Sequence, residues 1–412
     1  MSAEVLYISY DGMTDPLGQS QVIPYLEGLS KLGYKITLIS FEKPERVSKN
    51  KPGIHKTLQQ ANIDWHPLPY TKHPPVLSTI YDLWRMKKLA QKLHRQKNFH
   101  LVHCRSYISA LVGRYLKRIF GIGFLFDMRG FYADERVDGK IWNLKNPVYK
   151  LVYRFFKNAE QSFLQEADCT ISLTHAGKKE IQSWSQLKGQ PLPIEVIPCC
   201  ADVNHFSQKN VDAHKATQLK NELKSDFVLC YVGSMGTWYM PNEMFDFFNV
   251  LVTYKSDALF LILTADEPEH IYRLSESKGI VRDKLIVKES SRKDLPTYLS
   301  VCQLSVFFIK PVFSKKASSP TKHGELMSMG IPLVANDFVG DVGDIIRHTK
   351  SGVVISDFAA QSYRTAIETV LNTTYNQPQI SQCAREVYGL ENGIKTYDTV
   401  YRFVLQNKTH RP

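Results

Sequence analysis

No apolar run in this 412-residue chain approaches the roughly 20 residues needed to cross a bilayer as a helix. The opening MSAEVLYISYDG carries Glu4 ahead of a short apolar stretch, the pattern of a first β-strand rather than of a signal peptide. Among seven cysteines only Cys199 and Cys200 are adjacent, and C-x-x-C is absent, so neither a disulfide framework nor a zinc site is expected. That usage fits a reducing cytoplasm. G-x-G-x-x-G and the Walker loop are missing too, which argues against a redox dinucleotide cofactor and a P-loop ATPase. D-x-D, a common holder of a divalent cation, occurs nowhere, so no metal site and no cofactor are expected. Low-complexity segments and solenoid repeats are also lacking.

What is present is a foldable chain with an uneven charge. Hydrophobic content of 43% and charged content of 22% are those of a globular protein, and the length predicts two domains. The net charge is +12, and residues 71–160 alone hold 18 Lys and Arg against 6 Asp and Glu, the whole surplus. Such a surface is a solvated basic face or a partner for anionic lipid or a phosphorylated acceptor. Nucleic acid is not expected, because no recognition motif accompanies the charge.

Short apolar runs recur at spacings that leave room for helices. The first half has VLYIS, KITLISF, LVHC, FLFDM, CTISL and IEVIP; the second has FVLCYVGS, LFLILTA, LIVKE, LSVFFIK, PLVAN and GVVIS. This α/β alternation predicts two doubly wound, Rossmann-like domains of about six strands each. The boundaries expected are 1–205 and 206–389, with the linker inside Asn204–Asp226 and a helix near 390–412 packing back on the first domain. Ligands of such sheets bind beyond the carboxyl ends of the strands, so the informative loops follow each strand.

Three of those loops carry chemistry. After the first strand, Gly18 precedes an amphipathic helix, where a glycine lets helix-start amides approach a diphosphate or makes an ordinary tight turn. In YVGSMGTWYM, Gly233, Ser234, Gly236 and Thr237 offer amides and hydroxyls, unless the segment is a hinge, and Trp238 and Tyr239 can pack on a sugar or base. In SSPTKHGELMSMGIPLVAN, Pro320 suits a helix start, Leu326, Met327 and Met329 would pack inward, and Gly330 stops the helix. A carboxylate there, Glu325, can accept from both hydroxyls of a ribose, and Lys322 can neutralise a diphosphate. The plainer alternative is helix capping.

Taken together, YDGMTDPLGQSQVIPYLEGLSKLGYKITLISF, VIPCCADVNHF, YVGSMG and GELMSMGIPLVAN resemble the nucleotide-sugar-dependent glycosyltransferases of family 4. The resemblance runs from Val5 to about Ile355 and implies the GT-B fold, two Rossmann-like domains facing each other across a cleft, and retention of anomeric configuration. It makes Glu325 the second glutamate of the family's E-x7-E motif, with Thr321, His323 and Gly324 beside it as substrate-contacting positions. The first glutamate is absent: eight residues back from Glu325 stands Ala317. The basic residue usual in the phosphate loop is replaced within GSMGTW, and Arg129 stands where a histidine is frequent.

A departing diphosphate needs its growing charge stabilised, and helix starts, loop amides and basic side chains can replace a cation. Gly18, Ser234, Thr237 and Lys322 are the candidates, with Asp127 and Arg129 expected to position acceptor or sugar, and Asp134 and Glu135 behind them. The expected substrates are a nucleotide sugar and a saccharide or lipid-linked acceptor. YDLWRMKKLAQKLHRQK and NPVYKLVYRFFKNAEQSF mix aromatic and basic residues at helical spacing, as a helix on an anionic inner leaflet or a plain basic surface helix would. A sugar-nucleotide 2-epimerase of the same fold and a non-catalytic nucleotide-sugar binder are the rival readings.

Overall fold

The computed structural model describes residues 3–408, and its contacts divide the chain into two compact units. The first comprises Met1–Pro198 with Leu390–Pro412, the second Cys199–Gly389. Each is a wholly parallel sheet within an α/β alternation, the two-unit α/β class expected.

In the first unit the strands are β1 (Glu4–Ser9), β2 (Lys35–Glu42), β3 (Asp64–Pro69), β4 (Leu101–Arg105), β5 (Gly123–Asp127), β6 (Cys169–Ser172) and β7 (Ile194–Val196). Their order is β3-β2-β1-β4-β5-β6-β7. The second sheet holds β8 (Val228–Val232), β9 (Leu259–Leu263), β10 (Leu285–Lys288), β11 (Leu304–Phe307), β12 (Leu333–Asn336) and β13 (Gly352–Ile355), ordered β10-β9-β8-β11-β12-β13. Chain direction across each sheet reverses between β1 and β4 and between β8 and β11. Crevices beyond the carboxyl ends at such reversals are where ligands of these sheets bind.

Twelve of the strands coincide with the apolar runs of the sequence. The thirteenth, β3, does not: DWHPLP holds Pro67 and Pro69, which cannot donate to a ladder, and it occupies the sheet edge, where prolines are tolerated. The polar segment expected to contain the linker folds otherwise. Asp212 caps a helix, Ala213–Leu223, by accepting from the Lys215 amide, and that helix buries Ala216 and Leu219 in the core of the second unit. The division between units falls at Pro198–Cys199.

The final helix, Leu390–Lys408, lies on the first unit. Tyr34 donates to Asp398 at 2.6 Å, and Gly28 leaves room for Ile394, whose Cδ1 lies 2.3 Å from where a Cβ would stand. The preceding helix, Gln377–Tyr388, has no counterpart among the sequence expectations. It packs in the second unit against the helix Thr321–Ser328.

Candidate active site

The second unit gathers most of the candidate residues at the β8 and β11 ends. Pro320 stands at φ −74° and ψ 119° and caps the helix Thr321–Ser328; Gly330, at φ +76°, ends it with a conformation that other residues resist. Leu326, Met327 and Met329 pack inward, as their spacing predicts.

The same face carries Lys322 inward. Its Nζ lies 3.9 Å from the ring centre of Tyr231 and 3.6 Å from that of Tyr239, and has no hydrogen-bond acceptor. Gly233, at φ +103°, passes so close that a Cβ would stand 3.3 Å from the Lys322 ammonium. Burial holds the lysine's pKa well below its ordinary value, and Glu325 and Asp266 offset only part of that. The result is a buried amino group, without a hydrogen-bond partner in the fold, aimed at the glycine loop.

Thr321 and Glu325, four residues apart, share the partly open face of the helix. Burial raises the Glu325 pKa, against the opposing pull of Arg292, whose guanidinium is 3.4 Å away. Arg292 follows β10 and was not singled out from sequence, although it obeys the same rule of loops after strands.

His323 and Gly324 serve differently from expectation. His323 is fully buried and its Nδ1 pairs with the Tyr388 hydroxyl at 2.8 Å; burial drives its pKa down to about 3, leaving a neutral ring. A Cβ at Gly324 would lie 2.8 Å from Tyr388 Cγ and 3.1 Å from Ala201 Cβ. Both positions therefore fasten the helix Gln377–Tyr388 in place, and neither faces solvent.

The glycine loop after β8 is braced rather than open. Ser234 donates to Asp266 at 2.9 Å, Asp266 also accepts from the Met235 amide at 2.6 Å, and the Gly236 amide donates to Ser234 Oγ at 3.2 Å. The Ser234 hydroxyl is thus engaged, whereas Thr237 is exposed. Trp238 lies under Lys315, with Nζ 3.6 Å from a ring centre. Two lysines accordingly rest on aromatic faces of this one loop region, and Lys315 had no distinguishing signal beyond its place before the helix.

In the first unit, Gly18 is buried, and a Cβ there would stand 2.2 Å from the Gly12 carbonyl oxygen. Its missing side chain lets the loop fold closely on itself, the tight turn that is one of the two expectations for this position. Glu42 holds that loop, accepting from the amides of Met13 at 2.8 Å and Thr14 at 2.9 Å.

At the β5 end Asp127 is fully buried. Tyr397 donates to it at 3.0 Å, His103 lies 3.5 Å away and Arg129 3.8 Å away. Burial alone would raise the Asp127 pKa, but Arg129, His103 and Arg105 together bring it down to about 2. Arg129 stands at φ +57°, a strained conformation for a residue with a side chain and one that recurs at functional sites. Asp127 and Arg129 thus belong to one buried ion network at this strand end. Asp134 is committed elsewhere, to Tyr153 and Lys157, both at 2.9 Å.

Two Rossmann-like units, with a buried unpaired lysine and a half-open carboxylate on one helix, fit the class of two-domain glycosyltransferases. The chain belongs to family 4 of these enzymes: residues 21–205 match the description Glycosyltransferase Family 4, and residues 214–387 match Glycosyl transferases group 1. A search of curated proteins finds no match. Among solved structures, sucrose-phosphate synthase from Thermosynechococcus elongatus is similar at TM-score 0.73 and 15% identity, over 98% of this chain and 100% of that one. A glycosyltransferase from Rickettsia africae is similar at TM-score 0.72 and 15% identity, over 98% and 99% of the two chains. Anabaena HepE in complex with UDP and glucose follows at 0.67 and 13%, over 97% and 99%. At these identities the likeness establishes the fold, GT-B. The protein is a glycosyltransferase.

Proposed function

We propose that this enzyme moves a sugar from a nucleoside diphosphate sugar to a saccharide or lipid-linked acceptor, without a metal and with retention, in assembly of cell-envelope polysaccharide or lipopolysaccharide at the inner face of the plasma membrane. The observation that carries the reading is Lys322, a buried amino group with no hydrogen-bond partner of its own beside the glycine loop, which an arriving anion would hold in the charged form. A diphosphate arriving there supplies the missing partner, and its charge grows as the glycosidic bond breaks, so the lysine stabilises the transition state more than the ground state. Glu325, on the open face of the same helix, accepts from the ribose hydroxyls. Thr237 and the exposed part of the loop contact the phosphates. In the first unit Arg129, held by Asp127, positions the acceptor. In retaining chemistry the departing phosphate can take the acceptor's proton, so no separate base is required. HepE, of the same fold, binds UDP and glucose, which supports a donor of this kind.

The test is a thermal-shift screen against UDP, GDP, ADP and CMP and then their sugars, followed by turnover with acceptor candidates. Stabilisation by one nucleotide, with sugar release only when an acceptor is added, is the expected result. Conversion of the donor alone to an epimer, or nucleotide binding without turnover on any donor, overturns the reading.

A further inference from the structure

Seven of the sixteen large apolar side chains exposed among the described residues lie on two helices of the first unit, Leu77–Lys97 and Pro147–Glu166. Both pack on the helix between them, Ser106–Phe120. The crossovers β3 to β4, β4 to β5 and β5 to β6 all run the same way across the sheet, so right-handed connection places the three helices in one layer. The outer two are then about 20 Å apart, two interaxial distances. Each starts beyond the carboxyl end of a strand, so their first turns sit at the same edge.

On the first helix Ser78, Asp82, Met86, Ala90 and Leu93 turn inward. The opposite face of its first two turns is Leu77, Ile80, Tyr81 and Trp84, each at least half exposed. On the second helix Phe156, Ala159, Phe163 and Leu164 turn inward, while Val148, Leu151 and Phe155 point out, Leu151 being 70% exposed. Spacings of three and four make these two continuous stripes. No described residue of the unit covers them, and a monomer seldom leaves such stripes to water.

The charge beside the stripes is of one sign. Lys88 lies on the Trp84 ring at 3.9 Å, and Lys145, Lys150 and Arg154 are exposed around the second stripe. The acids of both helices are engaged elsewhere: Asp82 is buried under Tyr10 and Thr71, Glu160 is buried with Tyr107 and Lys157, and Glu166 holds Arg114 and Arg118. Apolar stripes one side chain deep, with aromatic residues and flanking bases and no outward acid, match the boundary of an anionic bilayer.

We propose that these two helices dock the enzyme on an anionic membrane surface, seating both apolar stripes in the headgroup boundary while the flanking lysines and arginines meet lipid phosphates. The surface names the place of the lipid-linked acceptor and in that respect deepens the proposed function, but docking itself needs neither donor nor turnover.

The experiment is co-sedimentation of the full chain with vesicles of phosphatidylglycerol mixed with phosphatidylcholine, and with phosphatidylcholine alone, in low and high salt. Binding should be at least about tenfold stronger on the anionic vesicles and weaken with salt. Leu151→Glu with Phe155→Glu, and Ile80→Glu with Trp84→Glu, should each abolish most of it with an unchanged melting temperature. Lys150→Gln with Arg154→Gln should cost roughly fivefold per lost charge. Phe403→Glu, an exposed apolar position on the helix Leu390–Lys408, should bind as the wild type does. Absent binding, equal binding to phosphatidylcholine alone, or unaffected stripe variants overturn the proposal. So does light scattering that finds a dimer abolished by the same substitutions, which would assign the stripes to a second copy. Vesicle binding is scored without substrate, so failure of the transferase reading would appear separately, in the donor screen.

Discussion

Lys322→Met separates the two things the lysine does. The substitution keeps the apolar stem between Tyr231 and Tyr239 and removes the ammonium, which has no acceptor. Two tyrosine faces return about 0.5–2 kcal/mol each, less than the cost of burying an unpaired ammonium, so the free enzyme should gain stability. A gain of about 1 kcal/mol corresponds to a rise in melting temperature of roughly 2–4 °C for a unit of this size. Turnover should move the other way, falling about 100- to 1,000-fold, the usual loss on removing one donor aimed at developing negative charge. Nucleotide affinity should fall by far less, since the diphosphate's extra charge appears only as the bond breaks. The folded lysine titrates well below its ordinary value of 10.5, because burial disfavours the cation. Between the two values the unfolded chain binds more protons than the folded one, so wild-type stability rises with pH across that window, and the methionine variant should lack the slope. The assays are calorimetric nucleotide binding, steady-state turnover with the donor found by screening, and thermal melts from neutral to alkaline pH. A variant that melts lower and turns over normally would refute the reasoning and make Lys322 a structural prop.

Glu325→Ala should weaken the nucleotide and its sugar conjugate alike, roughly tenfold to a hundredfold, because both carry the same ribose; a lowered melting temperature with unchanged affinity by calorimetry would leave the residue only a helix-capping role. Activity should survive excess EDTA, and loss restored by manganese or magnesium would defeat the metal-free mechanism. Gly324→Ala should cost about 1–3 kcal/mol in denaturant titration, since its Cβ would lie 2.8 Å from Tyr388, and an unmoved midpoint would contradict that packing. Asp127, held down to about 2, contributes stability above the ordinary 3.8 that is lost as pH falls through about 2, amounting to about 2 kcal/mol; Asp127→Asn should flatten acid unfolding over that range, and an unchanged profile would deny the ion network its role.

Much of the fold is legible in the sequence because parallel strands buried on both faces read as unbroken apolar runs. What escapes does so for local physical reasons. The edge strand Asp64–Pro69 is half-exposed and carries two prolines, so neither run nor alternation marks it. The helix Ala213–Leu223 buries only Ala216 and Leu219, too thin a stripe to stand out in a polar segment. Charge partners such as Asp266 under the glycine loop and Arg292 beside Glu325 meet their targets across sequence separations of 31 to 33 residues, which no local pattern encodes.

The helix Thr321–Ser328 is a different case, because its sequence held more than its composition conveyed. Placing Leu326 and Met327 inward already decides the rest: positions three and four residues back lie on the same face, and those are Lys322, His323 and Gly324. Helical spacing alone therefore divides the cluster of ionisable residues, with Thr321 and Glu325 open and Lys322 and His323 inside. The two buried members then differ by what surrounds them. His323 pairs its Nδ1 with the Tyr388 hydroxyl and stays a neutral brace, its Nε2 alone unpaired, whereas Lys322 finds only ring faces and has no hydrogen-bond partner at all. A buried group whose partner is missing from the fold is the better candidate for binding one that arrives from outside, and that asymmetry is what separates Lys322 from its neighbour.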